Sequence, residues 1–390
     1  MHRLQLHYTL GRDTGPALVR NPLIDLLQAV DSHGSISAAA RALGLSYRHV
    51  WGALKRWEDE LGNGLVTWEK GQAARLTAFG NKLMWAERQA QVRLAPQIEA
   101  LRGELERAFA VAFDANAHVL TLYASHDSAL AALREHALAL GPTQQAQHDH
   151  HGPLHLDIRF CGSVDAIRAL NEGRCAMAGF HTMQSPAPGS LAERTYKPLL
   201  RPGQHKIIGF AQRTQGLIVA PGNPLGLGAL ADVVRVRARY VNRALGTGTR
   251  LLLAELLEHA GLAATDIEGF ARTEPSHAAV AHAVAAGSAD VGLGIESAAR
   301  QLQLGFVPLV QEAYHLVCLR STLEQPATRA LRALLADPVW QHQLAAMPGY
   351  LPQQCGQVLS LREVLPWWQF TARRSESRKT TDRSAATENS

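Results

Sequence analysis

The sequence predicts a winged helix-turn-helix, mostly α with a β wing, followed by a long linking helix and a larger α/β domain with mainly parallel strands. Three observations predict this fold class. Residues 35–60 have the pattern of two short amphipathic helices joined by a glycine turn. Residues 77–113 are charged and helical in pattern, and from residue 118 onward β-prone runs alternate with helical ones. A chain of 390 residues has room for two or three domains.

The composition narrows the class of protein. A hydrophobic content of 46% supports sizeable cores, and the formal net charge of +5 permits binding to nucleic acid without proving it. The cysteines are widely scattered, so we expect reduced, packing thiols. No stretch is long and apolar enough to span a bilayer, and MHRLQLHYTL lacks the apolar core of a signal peptide. We therefore expect a soluble, cytoplasmic protein with no membrane partner.

Residues 1–76 are expected to form the winged helix-turn-helix domain. Residues 3–10 alternate apolar and polar side chains, which predicts a half-buried strand. Asn21-Pro22 is suited to begin a helix that Gly34 ends. In the helix-turn-helix, Gly44 separates the two helices and Ser46 is suited to cap the second. The apolar stripe of that second helix consists of Tyr47, Val50, Leu54, Trp57 and Leu61.

The opposite face of the second helix is basic near its start, where a recognition helix contacts base edges in the major groove. Short β-prone runs on either side of Lys70-Gly71 predict a wing whose basic residues reach phosphates. A helical hairpin with a solvated basic face and a merely solvated β-hairpin are the alternatives. The residues that we expect to contact double-stranded DNA are Ser37, Ser46, Tyr47, Arg48, His49, Lys55, Arg56, Lys70 and Arg75.

Residues 77–113 predict the linking helix, which Pro96 should kink or divide. A long charged helix between a DNA-binding motif and another domain is typical of a dimerisation element. We therefore expect a homodimer or a tetramer. A buried helix in a monomer is the alternative.

Residues 118–365 are expected to form the α/β domain. The Gln/His-rich segment 141–153 within it predicts a surface loop, and residues 371–390, almost without apolar side chains, predict a disordered tail with weak attraction to DNA. The predicted strands are VLTLYA, LHLDIRF, CAMAGF, IIGFAQ, GLIVA, RYVNR, DVGLGI, FVPLV and YHLVCL.

The stretch YVNRALGTGTRLLL, residues 240–253, predicts an anion-binding turn. A strand runs into a Gly-Thr-Gly-Thr turn and then into a helix, so free N–H groups and hydroxyls would face one point at the helix N-terminus. The turn lacks the lysine of a P-loop and the spacing of a dinucleotide-binding GxGxxG. A purely structural Gly/Thr turn is the alternative.

Two other strand ends point to the same edge of the sheet. Residues 125–128 and 162–163 follow strands, and ligands of open α/β sheets bind at the carboxyl ends of strands. His181 is expected there either as a ligand contact or as a packing histidine, and Arg250 either supplies charge or lies on a helix face. The residues expected to line the ligand site are Ser125, His126, Ser163, His181, Asn242, Gly246, Thr247, Gly248, Thr249 and Arg250.

No catalytic constellation is visible in the sequence, which contains no outstanding carboxylate pair and no GxSxG elbow. We therefore expect neither an enzyme nor a cofactor. The cluster His148, Asp149, His150 and His151 has donor atoms for a metal ion, but it lies in a polar loop without partner cysteines, so we predict no metal site.

The N-terminal motifs SISAAARALGLSYRHVW, Trp57-Glu58 and WEKG…LTAFG resemble the winged-helix domain of ModE-type molybdate-responsive regulators and, more distantly, that of LysR-type regulators. YVNRALGTGTRLLLAELL, AGFHTM and DVGLGIESAARQLQLGFVPLVQEAYHL resemble the periplasmic-binding-protein-like domain fused to such regulators and to molybdopterin-biosynthesis proteins. The resemblance covers residues 1–365. It implies a one-component transcription regulator whose sensor has a two-lobed, type II periplasmic-binding-protein fold.

The resemblance also implies a small oxyanion effector, molybdate or tungstate, with residues 246–250, Ser125 and Ser163 in the anion-contacting loops. The chain lacks the small tandem molybdate-binding modules of ModE, so the N-terminal similarity does not itself imply molybdate. The same regulator sensing formate, sulfate or another small anion is one alternative. A molybdenum-cofactor-related enzyme or an anion carrier is the other.

Overall fold

The structure, a computed structural model, describes residues 21–67, 73–113, 118–139, 154–184 and 186–368. Several predictions from the sequence lie outside these residues. They are the strand at residues 3–10, the tip of the wing with Lys70, the loop 141–153 with its histidine cluster, and the tail 371–390.

The N-terminal unit is a helix-turn-helix with a β wing, as the sequence predicts. Its helices are α1 (Pro22–His33), α2 (Ile36–Ala42) and α3 (Tyr47–Leu61). Asn21 caps α1 by accepting a hydrogen bond of 3.1 Å from the Leu23 N–H, and Ser46 caps α3 by accepting one of 3.2 Å from the His49 N–H. Gly34 and Gly44 have φ angles of 64° and 67°, a conformation that favours glycine.

The wing consists of strands β1 (Val66–Thr67) and β2 (Arg75–Leu76), paired antiparallel. The core of the unit includes Leu27, Val50 and Leu54, all nearly inaccessible to solvent. One detail of the predicted apolar stripe is wrong. Tyr47, the first residue of α3, is 52% exposed, because it precedes the first turn that packs on α1 and α2.

Helix α4 (Ala78–Phe113) links the N-terminal unit to the α/β domain. It is continuous through Pro96, so Pro96 does not divide it, and the alternative of a kink at Pro96 remains a prediction. The helix packs against strand β4 (Leu154–Phe160), and a Cβ added to Gly103 of α4 would be 3.8 Å from Asp157 Oδ1.

The α/β domain is built on one mixed sheet with the strand order β4-β3-β5-β10-β6-β9-β7-β8. The remaining strands in this order are β3 (His118–Ala124), β5 (Met177–Met183), β6 (His205–Val219), β7 (Tyr240–Arg243), β8 (Thr273–Glu274), β9 (Val291–Ile295) and β10 (Gly305–Leu319). Two further strands, β11 (Tyr350–Pro352) and β12 (Val358–Ser360), pair with β6.

Strands β6 and β10 divide the domain into two lobes. Each is 15 residues long, and they pair antiparallel over their whole length. One end of β10 pairs with β5 in the first lobe, and the other end of β6 pairs with β9 in the second lobe. The predicted parallel pairing is therefore correct for β3 with β4 and β5, and for β7 with β8 and β9. It is wrong for the pairs that involve β6 and β10, which are antiparallel.

Helices cover both lobes. In the first lobe, α5 (Ser128–Ala139) and α6 (Ser163–Asn171) follow β3 and β4 directly, and α7 (Leu191–Tyr196) follows β5. In the second lobe the helices are α8 (Leu230–Arg235), α9 (Gly248–Ala260) and α10 (His277–Ala285). The remaining helices are α11 (Glu296–Gln301), α12 (Pro326–Ala336), α13 (Pro338–Ala345) and α14 (Leu361–Val364). Among the described residues, no helix is both long enough and apolar enough to cross a bilayer.

Candidate DNA surface and ligand cleft

The exposed face of α3 combines basic and aromatic side chains. Arg48, His49 and Arg56 are exposed, and so are Tyr47 and Trp51. The opposite face buries Val50, Ala53 and Leu54 in the core. The structure thus presents the predicted basic residues to solvent, and it adds Trp51, which the sequence analysis left unassigned.

Lys55 has a second role on this helix. Its Nζ lies 2.7 Å from Glu58 Oε2, while Glu58 Oε1 accepts hydrogen bonds of 2.8 Å from the Leu65 N–H and 3.3 Å from the Val66 N–H. Although burial raises the pKa of Glu58, the hydrogen bonds from Lys55, Leu65 and Val66 lower it by more. Glu58 therefore attaches the first strand of the wing to α3.

Three of the other predicted DNA contacts are exposed to solvent, and the fourth lies outside the described residues. Ser37 is exposed on α2, Ser46 is the exposed cap of α3, and Arg75 is exposed on β2. Lys70 lies outside the described residues.

The predicted strand-to-helix corners meet between the lobes. Gly162 follows β4, and Gly246 follows β7. A Cβ added to Gly162 would be 2.4 Å from the Gly246 carbonyl oxygen. A Cβ added to Gly248 would be 3.0 Å from His181 Nδ1 and 3.2 Å from Ser163 Oγ. Only glycine permits this approach, so the corners of the two lobes form one cleft, which we call the interlobe cleft.

Several buried polar atoms around the interlobe cleft have no hydrogen-bond partner among the described residues. They are Ser125 Oγ, Nδ1 and Nε2 of His181, Nδ1 of His277 and Nε of Arg243. Buried polar groups in folded proteins are nearly always hydrogen-bonded, so unpaired polar atoms in one place indicate a partner there, such as a bound water or ion. These residues come from β5, β7, α10 and the end of β3, so both lobes contribute.

Arg243 is a residue near the interlobe cleft that was not among the predicted site residues. It is 2% exposed, and its Nη1 donates a hydrogen bond of 3.2 Å to the Glu274 carbonyl oxygen. Burial, and secondarily repulsion from Arg213, lowers its pKa to about 9, so it is still a cation at neutral pH. Among the described residues no carboxylate forms an ion pair with it, unlike Arg213. An arginine at the end of β7, three residues before the first glycine of the turn, was the available signal.

Both histidines near the cleft are neutral at pH 7. Burial lowers the pKa of His181 and of His277 well below the ordinary value, and the nearby arginines Arg213 and Arg243 lower it further. A neutral imidazole carries one N–H donor and one acceptor, so either ring can donate a hydrogen bond to an anion without adding charge.

A buried network joins the lobes below the cleft, at the middle of β6 and β10. Arg213 forms ion pairs with Asp127 and with Glu312, the latter at 3.0 Å. Gln215 donates to Glu312 and, at 3.1 Å, to Thr249 Oγ1 at the start of α9. Burial raises the pKa of Glu312, and Arg213 opposes that shift. Asp127 and Glu312 are thus occupied by Arg213.

Four predicted site residues make other contacts. Asn242 donates its Nδ2–H to the Phe270 carbonyl oxygen at 3.2 Å, and the Arg250 guanidinium stacks 4.0 Å above the Phe270 ring. Thr247 caps α9 and donates to the Ala244 carbonyl oxygen at 2.8 Å. His126 Nε2 lies 3.4 Å from Glu99 Oε2 of α4. Groups in their own lobe or on α4 hold these side chains, and their part in ligand binding remains a prediction.

Helix α4 contacts both lobes through ion pairs. Arg93 pairs with Glu274 in the second lobe. Residues Arg102 and Arg107 pair with Glu135 and Asp157 in the first lobe, at 3.2 and 3.7 Å. On another face, α4 exposes a row of large apolar side chains: Leu94, Leu101, Leu105 and Phe109.

Among the described residues, no group of three or more His, Cys, Asp or Glu side chains is placed to hold a metal ion. The cluster around His148 lies outside them, so the expectation that it holds no metal remains a prediction.

Sequence comparisons identify both parts of the chain. Residues 23–81 match the family model described as bacterial regulatory helix-turn-helix protein, lysR family, and residues 144–336 match the PBP superfamily domain. The uncharacterized protein YvgK of Bacillus subtilis (strain 168) is 28% identical over 201 residues, which cover 52% of this chain and 64% of that protein. This chain thus spans less than two thirds of YvgK.

A second relative is the uncharacterized protein in the ferredoxin 2Fe-2S gene 5' region of Clostridium pasteurianum, 30% identical over 111 residues, 28% of this chain and 98% of that protein. Similar solved structures include an H2O2-bound mutant of Corynebacterium glutamicum OxyR, with 17% identity and a TM-score of 0.39 over 80% of this chain and 93% of that one. Another is ArgP from Mycobacterium tuberculosis, with 21% identity and a TM-score of 0.35 over 80% of this chain and 96% of that one.

Proposed function

We propose that this chain, which has the domain architecture of a LysR-type transcriptional regulator, binds duplex DNA through α3 and the wing and responds to a small oxyanion in the interlobe cleft. The matched helix-turn-helix family consists of regulatory proteins and not of enzymes, so the comparisons do not favour the alternative of a molybdenum-cofactor enzyme. The cytoplasmic location remains a prediction.

The exposed basic face of α3 supports the DNA-binding part. Arg48, His49 and Arg56 lie on the solvent side of a helix whose N-terminus is free to enter a major groove. Cations on such a face neutralise phosphates and release counterions, so affinity should fall steeply with salt. Arg75 is exposed on the wing, and we expect it to contact the DNA backbone beside the groove.

The test for DNA binding is a gel-shift titration at fixed salt with duplexes selected from a random library by the full chain. Arg48→Ala should weaken binding by roughly tenfold or more, the loss typical of a base-contacting arginine. Arg168→Ala is the matched control, because this arginine lies on the exposed surface of the first lobe beside Asp165. Equal affinities of the Arg48→Ala variant and the wild type would exclude α3 as the recognition helix.

The observation that carries the effector proposal is the buried charge of Arg243. A buried guanidinium without a carboxylate partner is costly unless an anion accompanies it. Ser125 and His181 bring unpaired donors to the same cleft, and the α9 N-terminus at Gly248 adds free backbone N–H groups. Hydroxyl, imidazole, guanidinium and N–H donors together suit an oxyanion.

Molybdate or tungstate is the proposed effector, supported by the resemblance of residues 240–257 to molybdate-type sensor domains. Formate and sulfate remain alternatives with the same donor requirements. Calorimetric titration of the full chain with molybdate, tungstate, sulfate and formate distinguishes among them. If none of the four binds, the proposed class of effector is wrong, whereas the DNA-binding proposal is unaffected.

Two arginine variants test the location of the site. Arg243→Gln should abolish or weaken anion binding by about tenfold or more, because it removes the unpaired cation of the cleft. Arg250→Gln is the matched control: Arg250 is seven positions away on the same motif, but its guanidinium stacks on Phe270. If the two variants lost anion affinity equally, the anion would have to bind elsewhere.

We further propose a homodimer formed through the apolar row of α4. Leu94, Leu101, Leu105 and Phe109 recur at spacings of seven and four residues, which is the spacing of a helix–helix seam. Two recognition helices in such a dimer would have to meet half-sites about 34–36 Å apart or a multiple of that distance. Closure of the interlobe cleft would then change DNA affinity by moving α4, which contacts both lobes.

A further inference from the structure

The front of the helix-turn-helix exposes three large apolar side chains. Leu45, Tyr47 and Trp51 are 39%, 52% and 40% exposed. Among residues 21–67 and 73–77, which the structure describes, these three are the exposed large hydrophobic side chains. Tyr47 and Trp51 lie one helical turn apart on α3, and Leu45 lies in the turn just before the helix, so the three form one patch.

This patch does not contribute to the core of the unit. The core is closed by Val50, Ala53 and Leu54, which form the buried stripe of α3 beside this patch, and the three patch residues are not among the core residues. An apolar patch exposed in a unit that already has a complete core marks a contact surface. Its position, at the N-terminal turns of the second helix of a helix-turn-helix, is the part of such a helix that contacts base edges.

The charges around the patch indicate its occupant. Arg48 lies between Tyr47 and Trp51 in the sequence, and His49 and Arg56 lie on the adjoining exposed surface. A second copy of this unit docked on the patch would bring the same cations together. Duplex DNA instead offers phosphates to the cations and apolar groups to the patch, so DNA is the complementary partner.

The apolar group that the major groove offers is the C5 methyl of thymine, which no other base of unmodified DNA carries. We propose that Trp51, with Tyr47 and Leu45 beside it, contacts thymine methyl groups in the major groove and thereby specifies thymine in each half-site. This inference rests on the proposed DNA binding. It makes Trp51 a specificity-determining residue, while Arg48 supplies hydrogen bonds to the neighbouring bases or phosphates.

The test replaces thymine by deoxyuridine, which lacks the C5 methyl and leaves base pairing unchanged. The full chain first selects its preferred duplex from a random library. Each thymine of one half-site is then replaced in turn, and affinities are measured at fixed salt. One or two replacements should each weaken wild-type binding about fourfold, the value expected for one buried methyl group.

Trp51→Ala provides the second arm of the experiment. This variant should bind the thymine duplex more weakly than the wild type, and deoxyuridine at the sensitive positions should weaken it no further. Trp51→Phe, which retains an aromatic ring, should keep part of the sensitivity. Unfolding curves of the three proteins show whether each variant folds, and Trp51→Phe serves as the informative variant if Trp51→Ala does not.

The outcomes separate this inference from the proposed function. If the wild type binds DNA with a steep salt dependence but no deoxyuridine replacement weakens binding, thymine reading is excluded and DNA binding stands. If Trp51→Ala retains the full loss on replacement, Trp51 is not the contact. If Trp51→Ala changes the sedimentation coefficient instead, the patch is an interface between copies. If the wild type selects no duplex, the proposed function itself fails.

Discussion

Arg93 on helix α4 holds both carboxylate oxygens of Glu274 in the second lobe, with Nε–Oε2 and Nη2–Oε1 distances of 2.9 and 2.6 Å. Glu274 is 1% exposed, and its backbone carbonyl accepts the hydrogen bond from Arg243. One residue therefore connects the helix that leads to the DNA-binding unit with the unpaired cation of the interlobe cleft. This arrangement gives a short physical path between the proposed effector and α4.

Arg93→Ala should lower the free energy of unfolding by roughly 1–3 kcal/mol, because it leaves the Glu274 carboxylate buried without its partner. Glu274→Gln should lower it less, since a neutral amide replaces the buried charge and the cation left without a carboxylate, Arg93, is half exposed to solvent. Urea unfolding followed by circular dichroism measures both. A larger loss for Glu274→Gln than for Arg93→Ala would show that the ion pair is not what stabilises this contact.

The same pair should matter for regulation. Because Arg93 connects α4 to the second lobe, Arg93→Ala should reduce the ratio between DNA affinities measured with and without the effector anion, while leaving anion affinity itself within about twofold, as expected when allosteric coupling alone is lost. Arg300→Ala, in an exposed pair with Glu296, is the control. An unchanged affinity ratio in Arg93→Ala would mean that the coupling runs through other contacts.

Gly248→Ala should weaken anion binding without unfolding the protein. The added methyl would lie 3.0–3.2 Å from His181 and Ser163, so the two lobes could not approach as closely at the α9 N-terminus. Gly228→Ala in the same lobe is the control, because its nearest neighbour, Asp232 Oδ2, would be at an ordinary distance of 3.5 Å. Calorimetry on both variants measures the effect, and equal anion affinities would contradict the placement of the ligand at this corner.

The sequence predicted most of the local structure because local signals determine it. Asn21 and Ser46 cap helices as expected, and Gly162 and Gly248 occupy the corners at which the lobes meet. The long strands β6 and β10 were each predicted as two shorter strands. Their central polar residues interrupt the apolar pattern because, at the junction of the lobes, they bury an ion-pair network instead of apolar side chains.

The composition of the site was harder to predict because orientation depends on tertiary contacts. Arg243 and Arg250 flank the same glycine turn, and nothing in the sequence indicates which of them faces the cleft. The fold brings Phe270 close to Arg250, whose guanidinium stacks on the Phe270 ring and donates to its carbonyl oxygen. Arg243 is therefore the arginine of the pair that lies near the cleft. Likewise, the pairing of His126 with Glu99 depends on the packing of α4, which local periodicity does not reveal.

Stability should fall when the pH is lowered from about 7 towards 5. The folded chain keeps His181, His277 and His315 neutral, and burial lowers the pKa of His315 to about 3. The unfolded chain protonates them near pH 6.5, so below that pH the unfolded state binds more protons and is favoured. The three histidines together lower the free energy of unfolding by at most about 4 kcal/mol for each pH unit below about 6.5, and they have no effect on it above about pH 7.5.

Urea unfolding at pH 7.5, 6.5 and 5.5 measures this dependence. His315→Gln should retain the contact with Thr182, which lies 2.9 Å from His315 Nε2, and should reduce the slope by about one third, since one of these three buried imidazoles is removed. A slope that is unchanged in His315→Gln would show that His315 already titrates normally in the folded protein.

Leu101→Glu should dissociate the proposed dimer without destabilising the protomer. Leu101 is 57% exposed on α4, so its replacement should change the stability of one protomer little. In a helix–helix seam between two copies, the substitution would bring two carboxylates into an apolar contact. Val339→Glu, at a side chain 64% exposed in the α/β domain, is the matched control. Sedimentation velocity should show a monomer for Leu101→Glu and a dimer or tetramer for the control. If both variants sediment like the wild type, the apolar row of α4 is not the interface between copies, and the spacing of the recognition helices must be set elsewhere.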